Sequence, residues 1–205
     1  MEAYKIIYLH YNNKAAHNVN VCALDLSKAF DRMNHALLLK LMDRRLPNQL
    51  LTIFELWFSI FVTCVKWNGH VSQFFYLIAG VRQGGVLSPL FFAIFIDQLV
   101  ERVKSLNVGC HISTVCCDCC SIFLYADDIL LVAPTVVRAA LLTSCDRELI
   151  DIDMCINVSK SKCIRFGPRF TAPCAELVST FGGNIKWVQC CRYSGVFFDS
   201  GRTLK

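Results

Sequence analysis

The sequence predicts an α+β fold, because apolar runs of strand length are interleaved with longer segments of helical periodicity. The run VNVCALDL at 19–26 is short, apolar and rich in valine, which indicates a buried central strand. A second run, IFLYADDILLV at 122–132, is interrupted by Asp127 and Asp128, which predicts two strands joined by a tight turn. With few turn-rich gaps between elements, we expect one α+β domain with a small C-terminal appendage.

The first half of the chain is predicted to add two helices and a hairpin. Residues 34–45 place apolar side chains at helical spacing and end in two arginines, which suit a helix C-terminus. Pro47 predicts the start of a second helix that continues to about Val62. The pair Asn68-Gly69 between β-type runs is typical of a β-hairpin turn.

The second half alternates in the same way. The glycine-rich stretch AGVRQGG leads to Ser88-Pro89, which predicts an N-cap and the first turn of a helix that extends to about Ser105. We expect a strand at 111–115 and an amphipathic helix at 136–156. Short strands are then predicted in KCIRFG, NIKWVQ and YSGVFFD.

The composition is unusually apolar. Hydrophobic residues make up 55% of the 205 residues and charged residues 18%, against roughly 45–50% and 25% in ordinary soluble domains. This imbalance predicts a piece of a larger protein, with surface that other parts cover. The net charge of +5 favours a polyanionic partner only weakly.

The cysteine content and the apolar segments indicate the cellular compartment in which we expect the protein. The chain has 13 cysteines, and its first residues lack a basic segment followed by an apolar one, so we expect reduced thiols in the cytoplasm and/or nucleus, without secretion. The cluster CCDCC at 116–120 lacks a second pair at zinc-ribbon spacing, so no zinc site is expected. Residues 50–65 are interrupted by Glu55 and 86–100 by Pro89, which favours core helices over membrane spans.

Three aspartates end apolar strands. Neighbouring strand residues point to opposite faces, so Asp127 and Asp128 reach one site only if the chain turns there. If the two strands are sheet neighbours, Asp25 and Asp127 lie close together. Converging carboxylates need cations, and oxygen ligands at strand ends suit magnesium. The structural alternative is that the hairpin aspartates cap a turn while Asp25 pairs with a nearby lysine.

Five motifs occur in series along the chain. They are ALDLSKAFD (23–31), GVRQGGVLSP (80–89), YADD (125–128), NVSKSK (157–162) and CRYSGVFFD (191–199). In this order they resemble the reverse transcriptase family, specifically the polymerase of non-LTR (LINE-type) retrotransposons. The first three resemble its palm motifs, the fourth its Asn-x-x-Lys motif and the fifth its primer-grip hairpin. The resemblance implies a right-hand polymerase palm, an antiparallel sheet with packed helices, and RNA-directed DNA polymerase (nucleotidyltransferase) activity.

The resemblance implies catalytic roles for four residues. Asp25 and Asp127 would bind two Mg²⁺ ions, or Mn²⁺ as a substitute, with Asp128 as a weaker or supporting ligand. Such ions, about 4 Å apart, activate the primer 3′-hydroxyl and hold the triphosphate. Lys160 would protonate or stabilise the departing pyrophosphate.

The remaining matched residues are implied to contact substrates. Phe30 matches the steric-gate aromatic that leaves no room for a ribose 2′-hydroxyl; the alternative is an ordinary core aromatic. Arg82, Gln83 and Gly84 match the loop against the incoming nucleotide and template. Nucleic-acid contacts are expected from Lys162, Arg165, Arg169, Tyr193 and Gly195. A merely solvated basic loop is the alternative for the first three of these.

The resemblance also predicts the domain organisation. Residues 1–18 are expected to be a remnant of the fingers or an N-terminal extension, 19–170 the palm, and 171–205 a primer-grip-like β region truncated before the thumb. The expected partners are an RNA template, a DNA primer, deoxynucleoside triphosphates and the missing fingers and thumb of a longer polyprotein, with no membrane.

The sequence favours two classes of function, and a third, a small membrane protein, would require the two apolar helices to leave the core. The first is a reverse transcriptase fragment that extends a DNA primer on an RNA template by two-metal nucleotidyl transfer, which the intact Asp25, Asp127 and Asp128 favour. The second is a catalytically inactive retroelement remnant, at most a nucleic-acid-binding module, which the missing fingers and thumb favour.

Overall fold

A computed structural model describes residues 18–111, 119–134, 138–193 and 195–202. The described residues form two compact units. The sheet unit contains the described residues up to Ser27 and from Gln98 onward, and the hairpin unit comprises Lys28–Asp97. These boundaries differ from the sequence-based division into 19–170 and 171–205, which stays a prediction about domains.

The secondary structure alternates as the sequence predicts. The strands are β1 (Val19–Asp25), β2 (Val62–Thr63), β3 (Lys66–Trp67), β4 (His70–Val71), β5 (Phe75–Tyr76), β6 (Cys110–His111), β7 (Cys119–Cys120), β8 (Ile122–Tyr125), β9 (Asp128–Ala133), β10 (Lys162–Phe166), β11 (Leu177–Val178), β12 (Asn184–Trp187), β13 (Cys190–Tyr193) and β14 (Val196–Asp199). The α-helices are α1 (His35–Asp43), α2 (Asn48–Ser59), α3 (Ser88–Ser105) and α4 (Arg138–Asp151), and a 3₁₀ turn covers Ala29–Asp31.

A six-stranded sheet with the order β11-β12-β10-β1-β9-β8 is the centre of the sheet unit. β1 pairs antiparallel with both β9 and β10, and β12 joins β10 in the parallel sense. β1 is almost wholly buried, which explains its continuous apolar sequence. The α+β fold class is therefore confirmed, and the strand predicted at 19–26 lies at its centre.

The two faces of this sheet are covered by different elements. On one face, a single buried cluster joins Val21, Leu130 and Ile164 of the sheet to Tyr193 and Phe198 of the β13–β14 hairpin. On the other face, the buried side of α4 packs against β9 and β11. Both layers bury apolar side chains of β1, so the sheet is held between a hairpin and a helix.

Several predicted elements differ from the structure. The helix predicted at 136–156 ends at Asp151, because the chain turns at Asp153 (φ 57°) and Ile156 forms a β-bridge with Leu26. Ser88 is not a cap: it is the first residue of α3, and its hydroxyl donates to the carbonyl of Arg82.

Part of the middle of the chain lies outside the described residues. Of the strand predicted at 111–115, only His111 is described, at the end of β6. Most of the cysteine cluster at 116–120 also lies outside them, and its last two residues form β7.

The first α-helix of the hairpin unit is α1, which Asn34 caps by accepting a hydrogen bond from Leu37 N at 3.0 Å. Asn68 and Gly69 have φ values of 45° and 82° between β3 and β4, so the predicted hairpin turn is confirmed. His35, the first residue of α1, is buried, and its Nε2 lies 2.6 Å from the carbonyl oxygen of Gly80.

No helix in the described ranges combines the length and apolar character that a bilayer crossing requires.

α2 exposes most of its apolar side chains. No residue of the helix is fully buried, and Ile53 and Leu56 are 57% and 64% exposed. Trp67, on the β3–β4 hairpin, is 80% exposed. An apolar surface of this kind is rare on isolated domains and promotes association.

Replacing Ile53 and Leu56 together with glutamine is expected to raise the soluble fraction of the expressed chain about twofold, because it removes exposed apolar area without touching the core. The measurement is the soluble fraction after centrifugation at matched expression. Thr52→Gln, on the same helix, is the control and should change nothing. An unchanged soluble fraction in the double variant would show that this surface does not drive association.

Candidate functional site

The register of the central strands brings two of the predicted carboxylates together. β1 and β9 pair so that Asp25 lies directly opposite Asp128, and β8 places Tyr125 opposite Asp128 on the other side. Directly opposed residues of an antiparallel pair have Cβ atoms about 4.5–5.5 Å apart on the same face of the sheet. Asp25 and Asp128 therefore lie at the same end of the two paired strands and on the same face of the sheet.

Asp127 lies in the two-residue turn that joins β8 to β9. The residue before it, Ala126, has a left-handed φ of 51°. An L-residue in that region costs roughly 1–2 kcal/mol, and such strain often marks functional turns. The turn places Asp127 beside Asp128, partly buried, while Tyr125 is exposed. A metal shared by Asp25 and Asp127 stays a prediction.

The NVSKSK segment holds the main chain of Asp25 at two points. Asn157 N donates to the carbonyl oxygen of Asp25 at 2.8 Å, and the N–H of Asp25 donates to the Ser161 hydroxyl at 3.2 Å. The same hydroxyl donates to the Asn157 carbonyl at 2.8 Å, and Ser161 is fully buried. This role of Ser161 was not predicted from the sequence, although its position next to Lys160 in the motif is the signal that points to it.

Lys160 forms an ion pair with Asp25. Its Nζ lies 3.8 Å from Oδ2 of Asp25, and the two side chains are 68% and 28% exposed. An ion pair this exposed contributes little to stability and is easily rearranged. The structure therefore shows the pairing of Asp25 with a lysine that the structural alternative expected, in a form that leaves the ammonium group able to move.

Tyr193 contacts the main chain of Asp128, the aspartate that lies opposite Asp25. Its hydroxyl donates to the carbonyl oxygen of Asp128 at 3.2 Å, and the residue is 9% exposed. Burial, and then the charge of Asp128, raise the pKa of Tyr193 well above its usual range, so the hydroxyl stays protonated and remains a donor. The predicted contact of Tyr193 with nucleic acid stays a prediction.

Arg165, also predicted to bind nucleic acid, is engaged within the fold. Its Nε donates to the side-chain oxygen of Asn20 at 2.9 Å, and its Nη1 lies 3.3 Å from the carbonyl oxygens of Arg169 and Ala172. The guanidinium also lies 5.6 Å from the ring centroid of Trp187. These contacts connect the loop after β10 to the sheet, and the predicted contact of Arg165 with nucleic acid stays a prediction.

The other predicted nucleic-acid-binding residues lie nearer the surface. Lys162 Nζ donates to the carbonyl oxygen of Ser159 at 2.9 Å, and Arg169 is exposed. Gly195, at the turn between β13 and β14, has a φ of 81°, and a Cβ there would meet no atom within 4 Å. The space beside Gly195 is thus open, and its predicted contact with nucleic acid stays a prediction.

The predicted nucleotide-binding residues belong to the hairpin unit. The ring of Phe30 packs 5.2 Å from that of Phe92, centroid to centroid, and remains partly exposed. Arg82, Gln83 and Gly84 are exposed. Arg82 lines a cavity of about 500 Å³ in this unit.

The donor set of the carboxylates suits a divalent ion bound together with substrate. Within the part of the chain that the structure describes, no three His, Cys, Asp or Glu side chains form a metal-binding group. Magnesium does not need such a group, because it takes one or two carboxylates and fills its shell with water and substrate phosphates. Asp25 and Asp128 on one face, with Asp127 adjacent, therefore fit Mg²⁺.

The sequence matches the family model described as reverse transcriptase (RNA-dependent DNA polymerase) over residues 2–198. The chain is 32% identical over 130 residues to the retrovirus-related Pol polyprotein from type-1 retrotransposable element R2 of Popillia japonica, which covers 60% of this chain and 20% of that protein. It is 28% identical over 191 residues to the RNA-directed DNA polymerase from mobile element jockey of Drosophila melanogaster, covering 88% of this chain and 20% of that protein.

Solved structures share the fold. Apo telomerase from Candida tropicalis superposes with a TM-score of 0.65 at 15% identity, over 100% of this chain and 39% of that one. Telomerase from Candida albicans, in complex with a fragment of telomeric RNA, gives 0.61 at 14% identity over 100% and 33%. The chain spans about a fifth of the length of the curated relatives it matches. Because the family match covers nearly all of its residues, the chain belongs to the reverse transcriptase family, with relatives among the non-LTR retrotransposon polymerases.

Proposed function

We propose that the chain is the palm of an RNA-directed DNA polymerase that extends a DNA primer on an RNA template. The observation that carries this proposal is the register that sets Asp25 opposite Asp128, beside the YADD turn, in a member of the reverse transcriptase family. The polymerase named in the jockey relative supports the reaction. Since the chain spans about a fifth of its relatives, fingers and thumb from a longer protein are part of the proposal.

Asp25, Asp127 and Asp128 are the residues that would hold divalent ions. When bound, two Mg²⁺ ions, or Mn²⁺ in their place, would lower the pKa of the primer 3′-hydroxyl and neutralise charge on the triphosphate. The chain itself positions the metal ligands. Because strand pairing fixes the carboxylates before substrate binds, these groups need little rearrangement during the reaction.

Lys160 is proposed to act on the leaving group. Its ammonium group is exposed and held only loosely by Asp25, so it is able to turn towards pyrophosphate when a nucleotide is bound. An ammonium group there donates a proton or offsets the charge that develops on the leaving oxygen.

Selection of the nucleotide is assigned to Phe30 with Arg82, Gln83 and Gly84. The packing of Phe30 against Phe92 supports a fixed ring position, which a steric gate requires. Glycine at position 84, with a φ of 78° and no atom within 4 Å of an added Cβ, lets the backbone approach a substrate closely.

The proposed partners are an RNA template, a DNA primer and deoxynucleoside triphosphates. The telomeric RNA bound by a protein of the same fold supports an RNA template. Lys162, Arg169 and the open turn at Gly195 are the proposed contacts with the nucleic-acid backbone. A reducing compartment, the cytoplasm and/or nucleus, is proposed with them.

One observation favours a second candidate, a catalytically inactive remnant. The ion pair of Asp25 with Lys160 supplies a counter-ion from the protein itself. If that pair persists when nucleotide is present, the carboxylate is not available to a metal ion, and the chain is at most a nucleic-acid-binding module.

Asp127→Asn is expected to reduce primer extension by at least 10³-fold, about 4 kcal/mol, because one charge that compensates the α-phosphate is lost. The test places this chain in a LINE-type polymerase with intact fingers and thumb and measures kcat/KM on an RNA template. Asp151→Asn removes an exposed carboxylate at the end of α4 and is the control. Near-full activity of Asp127→Asn would refute the two-metal proposal.

Phe30→Ala is expected to change sugar choice rather than chemistry. Removing the ring opens space beside C2′, so incorporation of ribonucleotides should rise relative to deoxynucleotides, while deoxynucleotide incorporation falls only modestly. The same polymerase, assayed with paired deoxy- and ribonucleotides, gives the ratio of kcat/KM values. Phe75→Ala, which removes an exposed ring of the same unit, is the control. An unchanged ratio would identify Phe30 as a core aromatic.

A further inference from the structure

Tyr193 is anchored in the core while its hydroxyl reaches the start of the strand that carries Asp128. Along β13, Cys191 and Tyr193 are buried and the residues between and before them are exposed, as expected for a strand with one face on the core. Tyr193 and Phe198 belong to the same buried cluster as Leu130 and Val132 of β9. The ring is thus fixed by apolar packing, and the 3.2 Å hydrogen bond to the Asp128 carbonyl follows from that position.

Asp128 is the first residue of β9 and directly follows the strained turn at Ala126. Strand ends open more readily than strand centres, because fewer neighbours restrain them. A hydrogen bond from an element outside the sheet therefore adds a restraint at the point where the carboxylate leaves the backbone.

The two opposed aspartates are each supported by a hydroxyl from elsewhere in the chain. On β1, the Ser161 hydroxyl accepts the N–H of Asp25; on β9, the Tyr193 hydroxyl donates to the carbonyl of Asp128. The partners are 136 and 65 residues apart in sequence. Each contact is to the main chain rather than to a carboxylate oxygen, so it restrains the backbone of the aspartate.

We propose that Tyr193 is a positioning residue for divalent-ion binding, which sets the place of the Asp128 carboxylate relative to Asp25 through the main chain. This inference rests on the proposed polymerase function. It assigns the tyrosine of the CRYSGVFFD hairpin a task distinct from contact with the primer. Groups that orient metal ligands typically change metal affinity or activity by about 10–100-fold when they are removed.

The test uses the LINE-type polymerase that carries this chain, bound to a primer–template whose primer ends in a dideoxynucleotide. Binding of the correct deoxynucleotide is followed by fluorescence anisotropy as Mg²⁺ is titrated, so that no turnover contributes to the signal. Tyr193→Phe, which removes only the hydroxyl, should raise the half-saturating Mg²⁺ concentration about tenfold. Mn²⁺, which binds the same ligands more tightly, should restore most of the loss.

Ser200→Ala is the matched control. It removes a hydroxyl of the same hairpin region that donates to the Arg165 carbonyl at 2.8 Å, away from the carboxylates. We expect both variants to lower the midpoint of urea unfolding slightly and similarly, while only Tyr193→Phe changes the Mg²⁺ requirement.

Three outcomes would overturn the proposal. If Tyr193→Phe weakens primer–template binding without changing the Mg²⁺ requirement, the residue is a primer contact. If Tyr193→Phe behaves as Ser200→Ala does while Asp127→Asn abolishes Mg²⁺-dependent nucleotide binding, the inference fails and the polymerase function stands. If Asp127→Asn also leaves nucleotide binding and extension unchanged, or the unsubstituted chain supports neither, the proposed function fails and the inference fails with it.

Discussion

The pairing of β1 with β9 is the constraint on which the rest of the site depends. The register matches six residue pairs, from Asn20 with Ala133 to Asp25 with Asp128, and most of the paired side chains are buried. A shift of one residue would turn every side chain of a strand to the opposite face and would separate the two aspartates. The apolar core therefore fixes the geometry of a polar site: burial of Val21, Leu130 and Val132 determines that Asp25 and Asp128 emerge together.

The same site carries competing electrostatic demands. Carboxylates placed together at the ends of neighbouring strands repel one another unless a cation is present. In the structure Lys160 stands near Asp25, but at 3.8 Å and largely exposed, so solvent screens most of the attraction. Without substrate, the weakly held Lys160 offsets part of the repulsion between the carboxylates. In the proposed cycle a divalent ion readily replaces it beside Asp25. We regard this exchange as the physical basis of the proposed catalytic cycle, with the hydroxyls of Ser161 and Tyr193 keeping the two strand ends in place while the charge partner changes.

Local sequence signals predicted most of the elements, and long-range polar contacts account for most of what they missed. Apolar periodicity identified β1 and the β8–β9 hairpin, and Asn68-Gly69 identified a turn, because these signals depend on nearby residues alone. The contacts of Ser161 and Tyr193 join residues far apart in sequence. The NVSKSK motif marks the position of Ser161, but neither partner can be identified from the residues around it. The bond of the Arg165 guanidinium to Asn20 is long-range in the same way and was not predicted, while the contact of Arg165 with nucleic acid stays a prediction.

The central claim is that the aspartates at the β1 and β9 ends bind divalent ions when substrate is present. The most direct measurement is the anomalous scattering of Mn²⁺ in crystals of the longer polymerase with primer, RNA template and a deoxynucleotide. We expect Mn²⁺ density in contact with the carboxylates of Asp25 and Asp127, with Asp128 adjacent and Lys160 moved from Asp25 towards the triphosphate. Absence of Mn²⁺ at these carboxylates, with Lys160 still paired to Asp25, would contradict the account.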